Sequence, residues 1–310
     1  VSALRLGVDI GGTKVHAVAL DDAGAVVGEI RLPTGFGAEA VVASAHAAVV
    51  QLTERLAVTP GDLVSIGVGV PGRVDAQTGH VAHAVNLGLE SLDLGTLLGT
   101  RFGRAVVVEN DVNAAALGAF HVLGDARWRS MAYLNLGTGL AAGLVIDGRV
   151  WRGARGVAGE IGHIPVDPQG ELCRCGQRGC LETLASGSAL ARLWPQGAGA
   201  PAAALVAAAD AGDEQAAAVA AGLVRNVAAA VRILVLTVDV DAVVIGGGLS
   251  SLGDRLLGQV RARLDADART SPFLASLALA ERVLLAPAGS PVGAVGAALV
   301  ARPAAAAVGA

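Results

Sequence analysis

Residues 4–20 read LRLGVDIGGTKVHAVAL. The alternation of apolar and small or polar side chains over 4–10 predicts a strand, the glycine pair a tight turn, and the looser alternation over 14–20 a second strand. Asp21-Asp22-Ala23-Gly24 is a turn signal, and residues 25–32 are β-branched again. Three strands joined by tight turns therefore open the chain. Downstream, residues 38–57 carry apolar positions at helical spacing and stop at Thr59-Pro60-Gly61. The pattern predicts a strand over 63–70, a helix over 92–102, a strand over 105–108 and a helix over 111–123. This βββαβαβα order is that of an α/β layer with a mixed sheet.

An offset of 126 residues lays Tyr133-Leu134-Asn135-Leu136-Gly137-Thr138-Gly139 over Gly7-Val8-Asp9-Ile10-Gly11-Gly12-Thr13, and Asp147 over Asp21. Helical spacing follows over 201–236, then a strand over 241–245, a helix over 249–264, a strand over 282–286 and a helix over 291–302. The second half thus repeats the plan of the first, with a cysteine-bearing insertion near 160–185. The expected domains are 1–124 and 125–310, with the final helix free to pack back on the first. Two such domains, face to face, would set their glycine-rich turns across a cleft, where ligands bind. Chance likeness of glycine-rich hairpins is the rival explanation in a chain with 43 glycines. The alanine-rich end beyond the last helix is expected to fray.

At 310 residues, 53% hydrophobic and 16% charged, the chain has ample material for a core and is not a disordered polymer. A net charge of -4 repels phosphodiester backbones, so no nucleic-acid partner is expected. No apolar run is read as approaching the ~18 residues of a membrane span, and the first ten residues lack the features of a secretory signal. A cytoplasmic protein is expected. Its three cysteines, Cys173, Cys175 and Cys180, fall within eight positions, which suits a metal site better than disulfides.

Glycines in Asp9-Ile10-Gly11-Gly12-Thr13-Lys14 and Gly137-Thr138-Gly139 let backbone N–H groups approach a phosphate, and the threonine hydroxyls add donors. Neither is a Walker loop, since no G-x-x-x-x-G-K-[ST] occurs. Hairpins also need glycine for geometry alone, but two related turns suit a clamp on the phosphates of ATP. Asp9, at a strand end, suits Mg²⁺ held through water. In Val106-Val107-Val108-Glu109-Asn110-Asp111, a buried strand gives way to a helix. Asp111 there reads either as a plain N-cap or as a carboxylate that takes the proton of an attacking hydroxyl. His163 with Cys173, Cys175 and Cys180 supplies a closed Cys₃His set for structural zinc, against the alternative of buried thiols. Such a staple would bring Glu160 and Glu182 to one place as acceptors for a polyhydroxylated ligand; otherwise they are solvated surface charges. Gly72 and Asn86 suit a cleft lining or ordinary loops. Gly246-Gly247-Gly248, between a strand and a helix, suits an adenosine shelf or a bare turn.

The order DIGGTK, ENDVNAAA, LGTG, GEIGH, CRCGQRGCLE, ASG, VIGGGLS over residues 6 to about 300 resembles the ROK sugar kinases, bacterial glucokinase-like enzymes. The resemblance implies a two-domain actin/hexokinase-like (ribonuclease H-like) α/β fold with an interdomain cleft and a small zinc-binding insertion. It implies Asp111 as general base, and Asn110, Glu160, His163 and Glu182 on the sugar, with Gly72 and Asn86 beside it. Gly11, Gly12, Thr13, Gly137, Thr138 and Gly139 would hold the phosphates, and Gly246, Gly247 and Gly248 the adenosine. His163 would act twice, with one nitrogen on zinc and one toward a sugar hydroxyl. Homodimers or homotetramers are implied as well. Leu89 and Leu181 stand where many family glucokinases carry an aromatic and a tryptophan, and Gly72-Arg73 resembles the N-acetylmannosamine kinases.

The expected activity is ATP-dependent, Mg²⁺-requiring phosphorylation of the 6-hydroxyl of an aldohexose, glucose first. The alternative is an amino or N-acetylamino hexose, such as N-acetylmannosamine, N-acetylglucosamine or a kanosamine-type sugar, and polyphosphate is a rival donor. Two rivals come from other classes. A sugar-responsive repressor of the family would carry a DNA-binding domain ahead of the first strand, which here is expected to start by about Leu4. An actin-like filament would have no use for the cysteine cluster.

Overall fold

The opening residues form a hairpin of β1 (Arg5–Ile10) and β2 (Lys14–Leu20), antiparallel with Asp9 opposite His16, and β3 (Val26–Pro33) extends it on the far side of β2. The computed structural model describes residues 3–197 and 200–301, so the expected fraying of the tail lies outside the described residues. Next come α1 (Ala38–Arg55), β4 (Ser65–Val70), β5 (Arg73–Asp75), β6 (His80–Ala84), β7 (Leu89–Leu92), α2 (Leu94–Phe102), β8 (Val106–Asn110) and α3 (Asp111–Leu123). The main sheet of this unit runs β3-β2-β1-β4-β8, with β4 parallel to both β1 and β8. The small sheet β5-β6-β7 was not expected from the sequence. Its strands, three to five residues long with mixed polarity, are too short to show a period.

A second unit holds β9 (Ser130–Leu136), β10 (Leu140–Ile146), α4 (Glu182–Ala185), α5 (Gly187–Leu193), α6 (Pro201–Asp210), α7 (Glu214–Val238), β12 (Ala242–Gly246), α8 (Asp254–Arg269), α9 (Pro272–Ser276) and β13 (Val283–Leu285). Its sheet order is β10-β9-β12-β13, with β12 parallel to β9 and β13. The repeat holds for β9-turn-β10, which matches β1-turn-β2. It fails at the third strand, because β11 (Arg149–Val150) is two residues long. The segment from Gly289, with α10 (Val292–Val300), clusters with the first unit, as the reading of the final helix allowed, and residues 149–156, which the division after 124 did not foresee, do so too.

Alternation along β1 and β4 sends Leu6, Val8, Ile66 and Val68 into the core shared with α1, and Gly7 and Gly67 to the opposite face, against α10. There the backbones nearly touch. A Cβ on Gly296 of α10 would lie 1.6 Å from the Ala114 carbonyl oxygen of α3, and one on Gly118 of α3 would lie 1.9 Å from that of Val292. The sequence of α10, VGAVGAALV, is therefore fitted to close approach: it has no side chain larger than valine or leucine to hold the helices apart. The strand-to-helix turn of β8 and α3 is fixed between this helix and the sheet.

The expectation that no apolar run approaches membrane length needs correction. Among the described residues α7 is long and apolar enough by length and composition, because its alanines count as apolar. Its Leu223, Val227, Val231 and Leu234 lie in the second unit's core, and the helix carries Arg225 and Arg232.

Candidate active site and metal cluster

In the first unit, register alone brings Asp9, Gly69 and Glu109 side by side across the carboxyl ends of the parallel strands β1, β4 and β8. Ligands of open α/β sheets bind at such ends. Gly69 is the floor: a Cβ there would lie 3.7 Å from Asp111 Cα and 3.8 Å from Asp9 Oδ1. A Cβ on Gly293, in the first turn of α10, would lie 2.5 Å from Asp9 Oδ2, so that glycine makes room for the carboxylate. Burial, then the charge of Asp111, push Asp9 up to about 7, with Lys14 pulling the other way. A pair of carboxylates crowded in this manner suits a cation, and Asp9 is the member that would hold Mg²⁺.

The helix cap is Asn110, not Asp111. Asn110 Oδ1 accepts from the Val112 N–H (3.0 Å) and the Asn113 N–H (3.2 Å), and its Nδ2 donates to the Gly72 carbonyl at 3.0 Å. Asp111 is thereby the first residue of α3, its Oδ1 accepting from the Val112 N–H at 3.0 Å. The Asn110 amide, expected on the sugar, is engaged with Gly72 and the helix. Gly11-Gly12-Thr13 closes through Gly11 N–H to the Lys14 carbonyl (2.9 Å) and is braced by Thr34 N–H to the Thr13 carbonyl (3.1 Å). Asn86 is exposed, in the one-turn helix Val85–Leu87, and a Cβ on Gly12 would lie 3.6 Å from its Cβ. The first unit thus gathers Asp9, Gly11, Gly12, Thr13, Lys14, Gly72, Asn86, Asn110 and Asp111.

In the second unit, the Gly137-Thr138-Gly139 turn is held by its carbonyls. Gly137 accepts from the Gly187 N–H (2.7 Å), and Thr138 accepts from the N–H (3.1 Å) and hydroxyl (2.7 Å) of Ser188. Ser186 caps α5 through Ala189 N–H. The Ala185-Ser186-Gly187 motif is thus a brace for the turn, and Ser188 completes it. Glu182 Oε2 accepts from the Leu140 N–H at 3.0 Å and lies 2.5 Å from where a Cβ on Gly139 would be. This contact between the carboxylate and the turn was not foreseen. Gly247, with φ of 81°, fits against Gly137: its Cβ would be 2.7 Å from the Gly137 nitrogen. Gly246 abuts Tyr133, and Gly248 has open space.

The three thiols and the His163 imidazole lie within 4.8 Å of one another. Cys173 Sγ is 3.7 Å from His163 Nδ1, and Cys175 Sγ is 3.6 Å from Cys180 Sγ. Tetrahedral zinc with bonds of roughly 2.0–2.3 Å places its ligand atoms at about these separations, so the set fits such an ion. The other ring nitrogen, Nε2, faces Glu160 Oε2 at 4.0 Å. Gly162 presses on the Leu140 carbonyl and lies beside Glu182 Cβ, which seats the His163 turn against β10.

A profile of the ROK family matches residues 5–304. The chain belongs to the ROK family. A relative described as a glucokinase, from Streptomyces coelicolor, is 36% identical over 277 residues, covering 83% of this chain and 86% of its own. An N-acetylmannosamine kinase of Citrobacter koseri is 34% identical over 266 residues, covering 83% and 87%. A ROK family glucokinase of Streptomyces griseus, solved with glucose and AMPPNP, superposes with a TM-score of 0.77 at 34% identity, covering 96% and 99%. The two departures of this ROK chain, Leu89 and Leu181, are core residues, 3% and 0% exposed. Leu89 packs in the core of the first unit and Leu181 in that of the second.

Proposed function

We propose that the protein is an ATP-dependent sugar kinase that transfers the γ-phosphoryl group of ATP to the 6-hydroxyl of an aldohexose, glucose first. The observation that carries it is Asp111: a carboxylate at the carboxyl edge of the parallel strands, leading α3, with capping delegated to Asn110. The hexose O6 attacks the γ-phosphorus as its proton passes to Asp111, and the bond to ADP breaks. Phosphoryl transfer asks little else of a protein beyond positioning and charge. Gly12 and Thr13 in one unit, and Gly137, Thr138 and Gly139 in the other, suit the phosphates as backbone donors, while Gly11, whose own N–H is held by the Lys14 carbonyl, shapes the first of these turns. Gly246, Gly247 and Gly248 suit the adenosine, and Asn86, Glu160, His163 and Glu182 suit the sugar hydroxyls. Asp9 would hold Mg²⁺, which supplies charge neutralisation on the phosphates. His163, Cys173, Cys175 and Cys180 would hold a structural zinc, which fixes the loop that carries His163 and Glu182. Glucokinases among the relatives support glucose as the acceptor.

An ADP-release assay across glucose, mannose, fructose, N-acetylglucosamine, N-acetylmannosamine and 3-amino-3-deoxyglucose, with ATP and polyphosphate as donors, tests this. Glucose with ATP is expected to give the highest kcat/KM. Asp111→Ala is expected to fold, to bind glucose by calorimetry, and to lose about 10²- to 10⁴-fold in kcat. A near wild-type rate in that variant overturns the assignment. The N-acetylmannosamine arm matters because a kinase of that sugar is among the relatives and the Gly72-Arg73 pair resembles those enzymes, with Arg73 exposed. A higher kcat/KM on that sugar would move the substrate to the N-acetylamino class with the same base.

A further inference from the structure

Glu109 is a carboxylate that phosphoryl transfer does not itself require. It is 2% exposed, directly after the three valines of β8 and two residues before Asp111. Its oxygens take four donors. Oε1 accepts from the Asn110 N–H (3.0 Å) and from Asn113 Nδ2 (3.1 Å), and Oε2 accepts from Arg152 Nε (2.7 Å) and Nη2. These partners come from three places: the backbone of the strand-to-helix turn, the first turn of α3, and the 149–156 segment that returns to the first unit. A buried charge is tolerated when it is paired and its remaining lone pairs are filled, and here both conditions hold.

The four bonds all bear on where Asp111 sits. The Asn110 N–H and the Asn113 side chain lie on either side of it in sequence, so Glu109 fixes the angle at which α3 leaves β8. Arg152 holds the second carboxylate oxygen and so stops Glu109 from rotating. We infer that Glu109 and Arg152 are positioning residues for phosphoryl transfer, a buried carboxylate and the half-buried guanidinium that holds it, which together aim the Asp111 carboxylate; this rests on the assignment of Asp111 as the base. The same segment runs on in sequence into Gly159-Glu160-Ile161-Gly162-His163, so Arg152 also joins the base's turn to the chain that leads into that motif.

The test compares Glu109→Gln, Arg152→Met, Arg152→Lys and the double variant Glu109→Gln/Arg152→Met in the full-length chain, each with its folded fraction measured by circular dichroism at the assay temperature. A misaimed base loses transition-state stabilisation without losing ground-state binding. Per folded molecule, the Gln and Met variants are expected to lose about 10- to 100-fold in kcat, the scale of a 1 Å misplacement, with KM for hexose and ATP within about threefold. Arg152→Lys should recover part of the loss, and the double variant should be no worse than the poorer single. Should Glu109→Gln fail to fold, the two Arg152 variants carry the comparison. Unchanged kcat per folded molecule, or losses that appear in KM alone, overturn the inference. An inactive Asp111→Ala beside fully active Glu109 and Arg152 variants would sink this inference and leave the kinase assignment standing, whereas an active Asp111→Ala sinks the assignment itself.

Discussion

Replacing Gly296 by alanine isolates what the α10–α3 contact contributes. In an unencumbered helix the change is favourable by up to about 1 kcal/mol. Here the new methyl would lie 1.6 Å from the Ala114 carbonyl oxygen, 2.5 Å from its carbon and 2.8 Å from the Gly118 nitrogen, all backbone atoms that no rotamer change can clear. Relief requires the helices to part by roughly 1.5–2 Å, enough to forfeit half or more of the dispersion across the contact, since a gap of ~1 Å already costs about half. Ala294, Val295 and Ala298, buried against Val18 and Leu20, lose their seats. Overpacking commonly costs about 1–3 kcal/mol and occasionally more, so the net loss is expected at roughly 2–4 kcal/mol. That corresponds to a fall in Tm of roughly 5–15 °C for a unit of this size. Gly258→Ala in α8 is the control, because nothing lies within 4 Å of its Cβ; it should hold or raise Tm. Differential scanning calorimetry of both variants decides the matter. A Gly296→Ala transition at or above the wild-type temperature would refute the backbone-contact reasoning.

Three other outcomes are expected. Protein purified without chelator should carry one zinc per chain by elemental analysis, and Cys175→Ser should lower zinc content and weaken glucose affinity; metal-free protein of full activity would remove the staple. Gly139→Ala, whose methyl would meet Glu182 Oε2 at 2.5 Å, should displace that carboxylate and raise KM for the sugar, measured by initial rates at saturating ATP, with an unchanged KM counting against the contact. Asp9 is held up at about 7 in the folded protein against an ordinary 3.8, so between about pH 4 and 7 the native state keeps a proton that the unfolded chain gives up. Its contribution to stability therefore falls as pH rises through that window and levels off above it. Asp9→Asn in chelator should have a higher Tm than wild type at pH 8, with the difference shrinking toward pH 4.5; a pH-independent difference would contradict the burial argument.

The hairpin of β1 and β2 and its counterpart β9-β10 were legible because strands buried on both faces, with small residues at the turn, leave a pattern in sequence. Helix α1 was legible for the same reason at the other period. The sheet β5-β7 was not, since HVAHA and LESL carry no usable alternation. The helical spacing over 201–236 divides into α6 and α7 at Ala211-Gly212-Asp213, where Gly212 has φ of 91° and Asp213 caps α7 through the Ala216 N–H. At the site, two adjacent capable residues, Asn110 and Asp111, competed for the cap, and local sequence does not decide between them. The long-range partner did, because Gly72 gives the Asn110 amide nitrogen an acceptor that Asp111 could not use. Glu182 and Gly139 meet across 43 positions, and Glu109 and Arg152 likewise, so neither pairing had a local signature. The one available hint was a lone carboxylate ending a run of three valines.

The intimate seating of α10 also bears on biosynthesis. The slot that receives it is built from strands and a helix that precede the second unit in sequence, yet its occupant follows that unit and leaves the ribosome after it. A nascent polypeptide must carry that half-finished sheet, with glycine backbone bared on one face, while the whole of the other unit is being made. Truncation just before Val292 should therefore leave a chaperone substrate in place of a shortened enzyme, and the β8–α3 corner would acquire its final form only after α10 has been made.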